Sequence, residues 1–116
     1  MNNVNAANYA VEVVTRDGVD IVRLTDAARN TEVAIAVSLG NIAYDMRVNG
    51  KQVFWNPYAN VGDFKAKPNM LGNPFLAPWA NRVAPDGFNF GGEFHPLNTQ
   101  MKNLRRDGNG LPIHGL

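Results

Sequence analysis

An amide, a guanidinium and an imidazole stand out in this chain. Asn81 and Arg82 follow Trp79-Ala80, and His114 sits in Leu111-Pro112-Ile113-His114-Gly115. The first pair lies behind the turn-rich run Gly72-Asn73-Pro74-Phe75-Leu76-Ala77-Pro78. Asparagine both donates and accepts, arginine only donates through a fixed fork, and histidine does either. Brought together, the three suit a ligand rich in hydroxyls. The Arg82 guanidinium can serve two oxygens at once and stays charged at any working pH. Each residue also has a plainer reading. Arg82 fits an ordinary surface arginine, Asn81 fits a turn closed by its own side chain, and a lone histidine such as His114 is more often structural. Trp79 has the shape to lie against a pyranose or to half-fill a core. His95, next to Pro96 in a strand, is expected to face solvent and is given no role.

Such residues need a scaffold, and the periodicity is that of strands. Val33, Ile35, Val37 and Leu39 alternate with Glu32, Ala34, Ala36 and Ser38, which makes one apolar face. Ile42, Tyr44, Met46 and Val48 then alternate with Ala43, Asp45, Arg47 and Asn49. Asn49-Gly50 tolerates the positive φ angles of a tight hairpin turn, with Val53-Phe54-Trp55 expected as the returning strand. Ala10 to Thr15 and Val19 to Thr25 flank Arg16-Asp17-Gly18, a second hairpin signal. From Asn56 to Pro85, Pro, Gly and Asn recur too often for long regular elements, so this stretch reads as an ordered loop that carries binding residues. Beyond it, Phe88 and Phe90 lead into Gly91-Gly92-Glu93. A three-residue loop there sets Phe90 opposite Phe94 and His95 on the other face. No helix of three turns and no internal repeat is evident. The expected class is all-β.

Composition narrows the function. A chain of 116 residues suits one domain over residues 1–116 with a modest core. Its formal net charge of +1 gives no electrostatic case for nucleic acid or an anionic membrane as partner. Arg105-Arg106 reads as a solvated loop rather than a polyanion site. With no cysteine, disulfides, zinc-thiolate sites and cysteine nucleophiles are excluded. Met1-Asn2-Asn3-Val4-Asn5 lacks the basic cluster and apolar run of a secretory signal, and no apolar stretch is long enough to span a bilayer. A soluble, cytoplasmic protein is expected.

The pattern from Gly72 through Pro74, Leu76 and Pro78 to Ala80-Asn81-Arg82 continues with Phe88-x-Phe90, Gly91-Gly92 and His114-Gly115. It resembles the N-terminal part of the aldose 1-epimerase (galactose mutarotase) family. The resemblance runs in order over most of the chain, and Ala80-Asn81-Arg82 with His114-Gly115 is its specific part. It departs at Gly40-Asn41, where relatives carry Gly-Ala, and at residues 101–106, where many have a shorter connection.

What the resemblance implies is a β-sandwich of the galactose mutarotase-like supersandwich type that interconverts the α and β anomers of a free aldohexose. Asn81, Arg82 and His114 would bind the sugar, with His114 as the candidate catalytic residue, and no metal or organic cofactor is required. Opening and reclosing the hemiacetal needs a base at the anomeric hydroxyl and an acid at the ring oxygen, both within reach of one bound sugar. In the family these are a glutamate and a second histidine, each later in the domain than His114. Glu12, Glu32 and Glu93 all precede that position and read as solvent charges. Leu116 falls well short of a whole family domain. The expectation is therefore an N-terminal portion holding the substrate-binding half, with weak or absent epimerase activity alone. Such a portion exposes strand edges and an apolar face, and self-association through those edges is expected.

Other readings stay open. One is a noncatalytic carbohydrate-binding β-module that keeps Asn81, Arg82 and His114. Another is a structural or interaction domain. A hexose-phosphate epimerase ranks lower, since no phosphate nest accompanies the pattern.

Overall fold

The computed structural model describes residues 8–115. They form antiparallel strands with one short helix, an all-β fold, and fall into two compact units that divide after Phe75.

In the first unit β1 (Tyr9–Arg16), β2 (Val19–Asp26), β3 (Thr31–Ala36), β4 (Ile42–Val48) and β5 (Lys51–Gln52) form one sheet in chain order, each antiparallel to the next. The two-residue turns Asp17-Gly18 and Asn49-Gly50 match the twist of their flanking strands because both residues of each take positive φ. The strand returning from Asn49-Gly50 is Lys51–Gln52, not Val53-Phe54-Trp55. Val53 adds one more bond, to the Met46 carbonyl at 2.8 Å. Trp55 is exposed.

The expected face of Ile42, Tyr44, Met46 and Val48 is broken by a register shift between Ala34 and Ile35. An extra residue in one strand moves everything beyond it to the opposite side. Ile42 consequently sits opposite Ala36 on the buried face, whereas Met46 sits opposite Val33 on the other. The core forms on the side of Ala36, from Val19, Ile21, Ala36 and Ile42 with Val61, Phe64 and Leu71. Val33 and Ile35, the apolar set expected from the alternation, point away from it. Val37 and Leu39 lie beyond the end of β3.

The core is capped by α1 (Val61–Ala66), a helix inside the stretch expected to be loop throughout. Asn60 starts it by accepting the Asp63 N–H on its side chain at 2.8 Å. Val61 and Phe64, one turn apart, supply its buried side. Lys65 Nζ donates to the Gly18 carbonyl at 2.9 Å, and the Gly62 N–H donates to Asp17 Oδ2 at 3.2 Å, so the helix is tied to the β1–β2 turn. Glu32, expected as a solvent charge, pairs with Arg23 at 2.9 Å, and Arg23 also meets Glu12 at 2.8 Å.

The second unit has one regular hairpin, β6 (Gly87–Phe90) and β7 (Glu93–Pro96). Its register corrects the expected one: Phe90 faces Glu93, Asn89 faces Phe94 and Phe88 faces His95. The turn closes over two residues because Gly91 and Gly92 both take positive φ, 62° and 84°. His95 thus shares a face with Phe88 and Phe90 and stacks on Phe88 at 5.4 Å instead of facing solvent alone. The rest of the unit is loop, held by isolated bridges that pair Ala77 with Gly115, Arg82 with Ile113 and Arg106 with Pro112.

Candidate functional site

Those bridges bring Asn81, Arg82 and His114 into one cluster within the second unit. The reach from Arg82 to His114 across residues 101–106 is closed by backbone pairing. Val83 N–H donates to the Pro112 carbonyl at 3.2 Å, His114 N–H to the Asn81 carbonyl at 2.9 Å, and Ile113 N–H to the Arg105 carbonyl at 3.1 Å. Asn81 and His114 both adopt left-handed backbone, φ 58° and 62°. Asparagine accepts that region more readily than most residues. Gly115 follows with φ 78°, and a Cβ on it would fall on the Ala77 carbonyl. This is the physical content of the His-Gly pair: glycine alone lets residue 115 close against the strand-like segment at Ala77.

The side chains converge as well. Asn81 N–H donates to His114 Nδ1 at 3.2 Å. With Nδ1 accepting, the neutral imidazole carries its proton on Nε2. Arg82 Nη1 donates to Asn81 Oδ1 at 3.0 Å, and Arg82 Nε donates to Asp107 Oδ2 at 2.5 Å.

Asp107 is the member that sequence reasoning missed. Its side chain is only 8% exposed, against 48% for Arg82. Its other oxygen accepts the backbone N–H groups of Asn109 at 2.9 Å and Leu111 at 3.0 Å. The Arg82 guanidinium first, then those N–H groups, hold its carboxyl below the usual 3.8. Arg105-Arg106-Asp107-Gly108-Asn109-Gly110 gives Asp107 the look of a turn residue. It is one, and it fixes the arginine at the same time.

The cluster is rich in donors. Arg82 keeps N–H groups beyond the two that Asn81 and Asp107 engage. Asn81 presents its NH2, since its Oδ1 is taken. His114 adds Nε2–H. Such an array suits oxygen acceptors on a neutral or anionic ligand. It does not supply a matched acid–base pair, because a guanidinium only donates and the Asp107 carboxylate is taken up by Arg82 and two backbone N–H groups. Trp79, two residues before Asn81, is half-buried, and its Nε1 is buried with no hydrogen-bond partner among the described residues. Arg105 and Arg106 are exposed, and Arg106 donates to the Gly110 carbonyl at 2.8 Å.

A separate polar hollow of about 270 Å³ lies in the first unit, against Arg16, Tyr44, Asp45 and Tyr58. Asp45 accepts from Arg47 Nε at 3.0 Å through Oδ2, while its Oδ1 is buried without a partner among the described residues. Burial pushes the Tyr44 hydroxyl up. None of the expected site residues lies there. Among the described residues no group of three His, Asp or Glu side chains converges as a metal site, and no helix is long and apolar enough to cross a membrane.

No protein-family model matches this chain, and no curated protein matches it.

Proposed function

We propose that this chain is the sugar-binding part of an aldose 1-epimerase-like isomerase. Its ligand is a free aldohexose, and the wider fold is a β-sandwich of the mutarotase kind, working in the cytoplasm without metal or organic cofactor. One observation carries this reading: Asn81, Arg82 and His114 lie in a single hydrogen-bonded cluster, with Asp107 orienting the guanidinium. A fixed fork beside an Nε2–H donor fits adjacent sugar oxygens, which accept readily and lie in a defined spacing.

The same cluster favours one alternative, a noncatalytic carbohydrate-binding β-module, because its members bind and position without forming an acid–base pair. Two measurements on one sample separate the readings. Titration of the labelled protein with glucose and galactose is expected to shift the His114 and Arg82 side-chain resonances. Exchange spectroscopy on the sugar then reads the interconversion of its anomers. Binding with catalysed exchange supports the isomerase, binding without it supports the module, and no shift at millimolar sugar overturns both.

A further inference from the structure

The bulge in β4 does more than divert the apolar alternation. Ala34 pairs with Asp45 and Ile35 with Ala43, which leaves Tyr44 as the extra residue, without a partner on β3. A bulge re-aims side chains, and here it brings two neighbours to one face. Tyr44 packs against the Ile21–Ala36 core, and Asp45 lies in one row with Arg23 and Ala34 on that side. The Tyr44 carbonyl accepts from Asn56 Nδ2 at 3.2 Å, and Asn56 Oδ1 accepts the Tyr58 N–H at 3.0 Å. Tyr58 is fixed in turn, its hydroxyl donating to the Lys67 carbonyl at 2.6 Å. These residues wall the hollow of about 270 Å³, and a second of about 200 Å³ shares Arg16, Tyr44, Asp45 and Arg47 with it. A second sheet packed as in the proposed sandwich would take the opposite, apolar face of Val11, Leu24 and Val33, and leave this one uncovered.

We infer that this hollow binds a free α-amino acid, with the ligand carboxylate on Arg16 and its ammonium on Asp45. Two unmatched groups carry this. The ion pairs among the described residues engage Arg23, Arg29, Arg47 and Arg82, and leave Arg16 free. Asp45 accepts from Arg47 Nε at 3.0 Å through Oδ2, while Oδ1 is buried with no hydrogen-bond partner among the described residues. A buried carboxylate oxygen without a donor is costly, and a ligand cation removes that cost. Arg16 offers a fork that meets a carboxylate through two parallel bonds. Tyr44 can add a donor, because burial raises its hydroxyl above the usual 10.0 and keeps it protonated. Charge balance argues against a plain anion. Arg16, Arg23 and Arg47 line the two hollows together with Asp17, Glu32 and Asp45, so a zwitterion leaves the formal charges cancelled. The volume lies at the small end of ligand sites, which suits a molecule of amino-acid size.

L-alanine, L-lactate and propionate test this, since they differ only in the ammonium, hydroxyl or hydrogen beside the carboxylate. Each is titrated into the labelled full chain while the resonances of Arg16, Tyr44 and Asn56 are followed. These residues belong to the first unit, so the result stands apart from sugar binding at Asn81, Arg82 and His114. Alanine is expected to shift them saturably in the millimolar range, given how few contacts so small a ligand makes. Lactate is expected to bind more weakly, and propionate at least about tenfold more weakly. Arg16→Gln and Asp45→Asn are each expected to weaken alanine at least about tenfold, with an unchanged far-ultraviolet dichroism spectrum. Arg16 is the exposed last residue of β1, so its variant decides the matter should Asp45→Asn disturb folding by losing the Arg47 pair. No saturable shift from alanine overturns the inference. So does lactate or propionate binding as tightly as alanine, which removes the ammonium from the site, or alanine binding that survives Arg16→Gln.

Discussion

Asn81 and His114 hold each other in both directions: the His114 N–H donates to the Asn81 carbonyl at 2.9 Å, and the Asn81 N–H donates back to His114 Nδ1 at 3.2 Å. The two lie 33 positions apart in the chain. Both take the left-handed backbone region, which costs a non-glycine residue roughly 1 kcal/mol, and the exchanged hydrogen bonds offset that cost. The loop that presents Arg82 and the loop that presents the imidazole therefore act as one piece.

This relationship fixes the imidazole tautomer. With a backbone N–H directed at Nδ1, the neutral ring of His114 is expected as the Nε2–H form. Long-range nitrogen–proton correlation at alkaline pH checks it, since protonated and unprotonated ring nitrogens resonate far apart. A proton found on Nδ1 would mean that the Asn81–His114 pairing does not persist in solution.

Asp107 links the cluster to pH. Its carboxyl is held below 3.8, chiefly by Arg82 and then by the Leu111 and Asn109 N–H groups. A carboxylate with a lower pKa folded than unfolded adds stability above the unfolded value, and that stability is lost as pH falls through the folded one. Its contribution is thus complete at neutral pH and fades below about pH 4. Asp107→Asn is expected to lower Tm at neutral pH, with a gap that narrows as the solution is acidified below that point. Thermal melts across the range decide it. A gap of constant size would mean that the carboxylate charge does not matter.

Much of the scaffold could be read from residue types, and its limits have physical causes. Asp17-Gly18 and Asn49-Gly50 announced two hairpins because turn chemistry is local. The bulge at Ala34/Ile35 has no local signature, and it sends Ile42 to one face and Met46 to the other. Alternation likewise shows that a strand has an apolar side. It does not show which side gains a helix, and here α1 covers Ile21 and Ala36 while Val33 looks outward. Asn81, Arg82 and His114, singled out by residue type and spacing, do meet in one hydrogen-bonded cluster. Asp107 was not singled out, because an aspartate before glycine reads first as a turn, and only the fold shows its second oxygen on Arg82.

Gly115 tests whether the His114 loop depends on close backbone approach. Alanine there meets both a positive φ of 78° and the Ala77 carbonyl. Neither atom at the contact is the end of a flexible side chain, so the backbone itself must shift. Gly115→Ala is expected to destabilise the second unit by at least about 2 kcal/mol, combining left-handed strain with overpacking. Urea unfolding followed by resonances from that unit measures it. A loss under about 0.5 kcal/mol, the range of ordinary surface changes, would show that the Ala77–Gly115 bridge is dispensable.

Arg82→Lys separates charge from fork geometry at the proposed sugar site. Lysine keeps the positive charge near Asp107, but its single ammonium cannot serve Asp107, Asn81 Oδ1 and a ligand in the planar arrangement that arginine holds. Charge complementarity to the carboxylate persists, so the fold is expected to survive with Tm lowered only slightly. Sugar affinity is expected to fall about tenfold or more, equivalent to about 1.4 kcal/mol. Chemical-shift titration of the variant beside the parent protein reads the affinity, and thermal melts of the same samples read Tm. Unchanged affinity would remove Arg82 from the ligand site and leave it a structural partner of Asp107. An equal loss of affinity and of fold would show that the guanidinium supports the loop rather than the sugar.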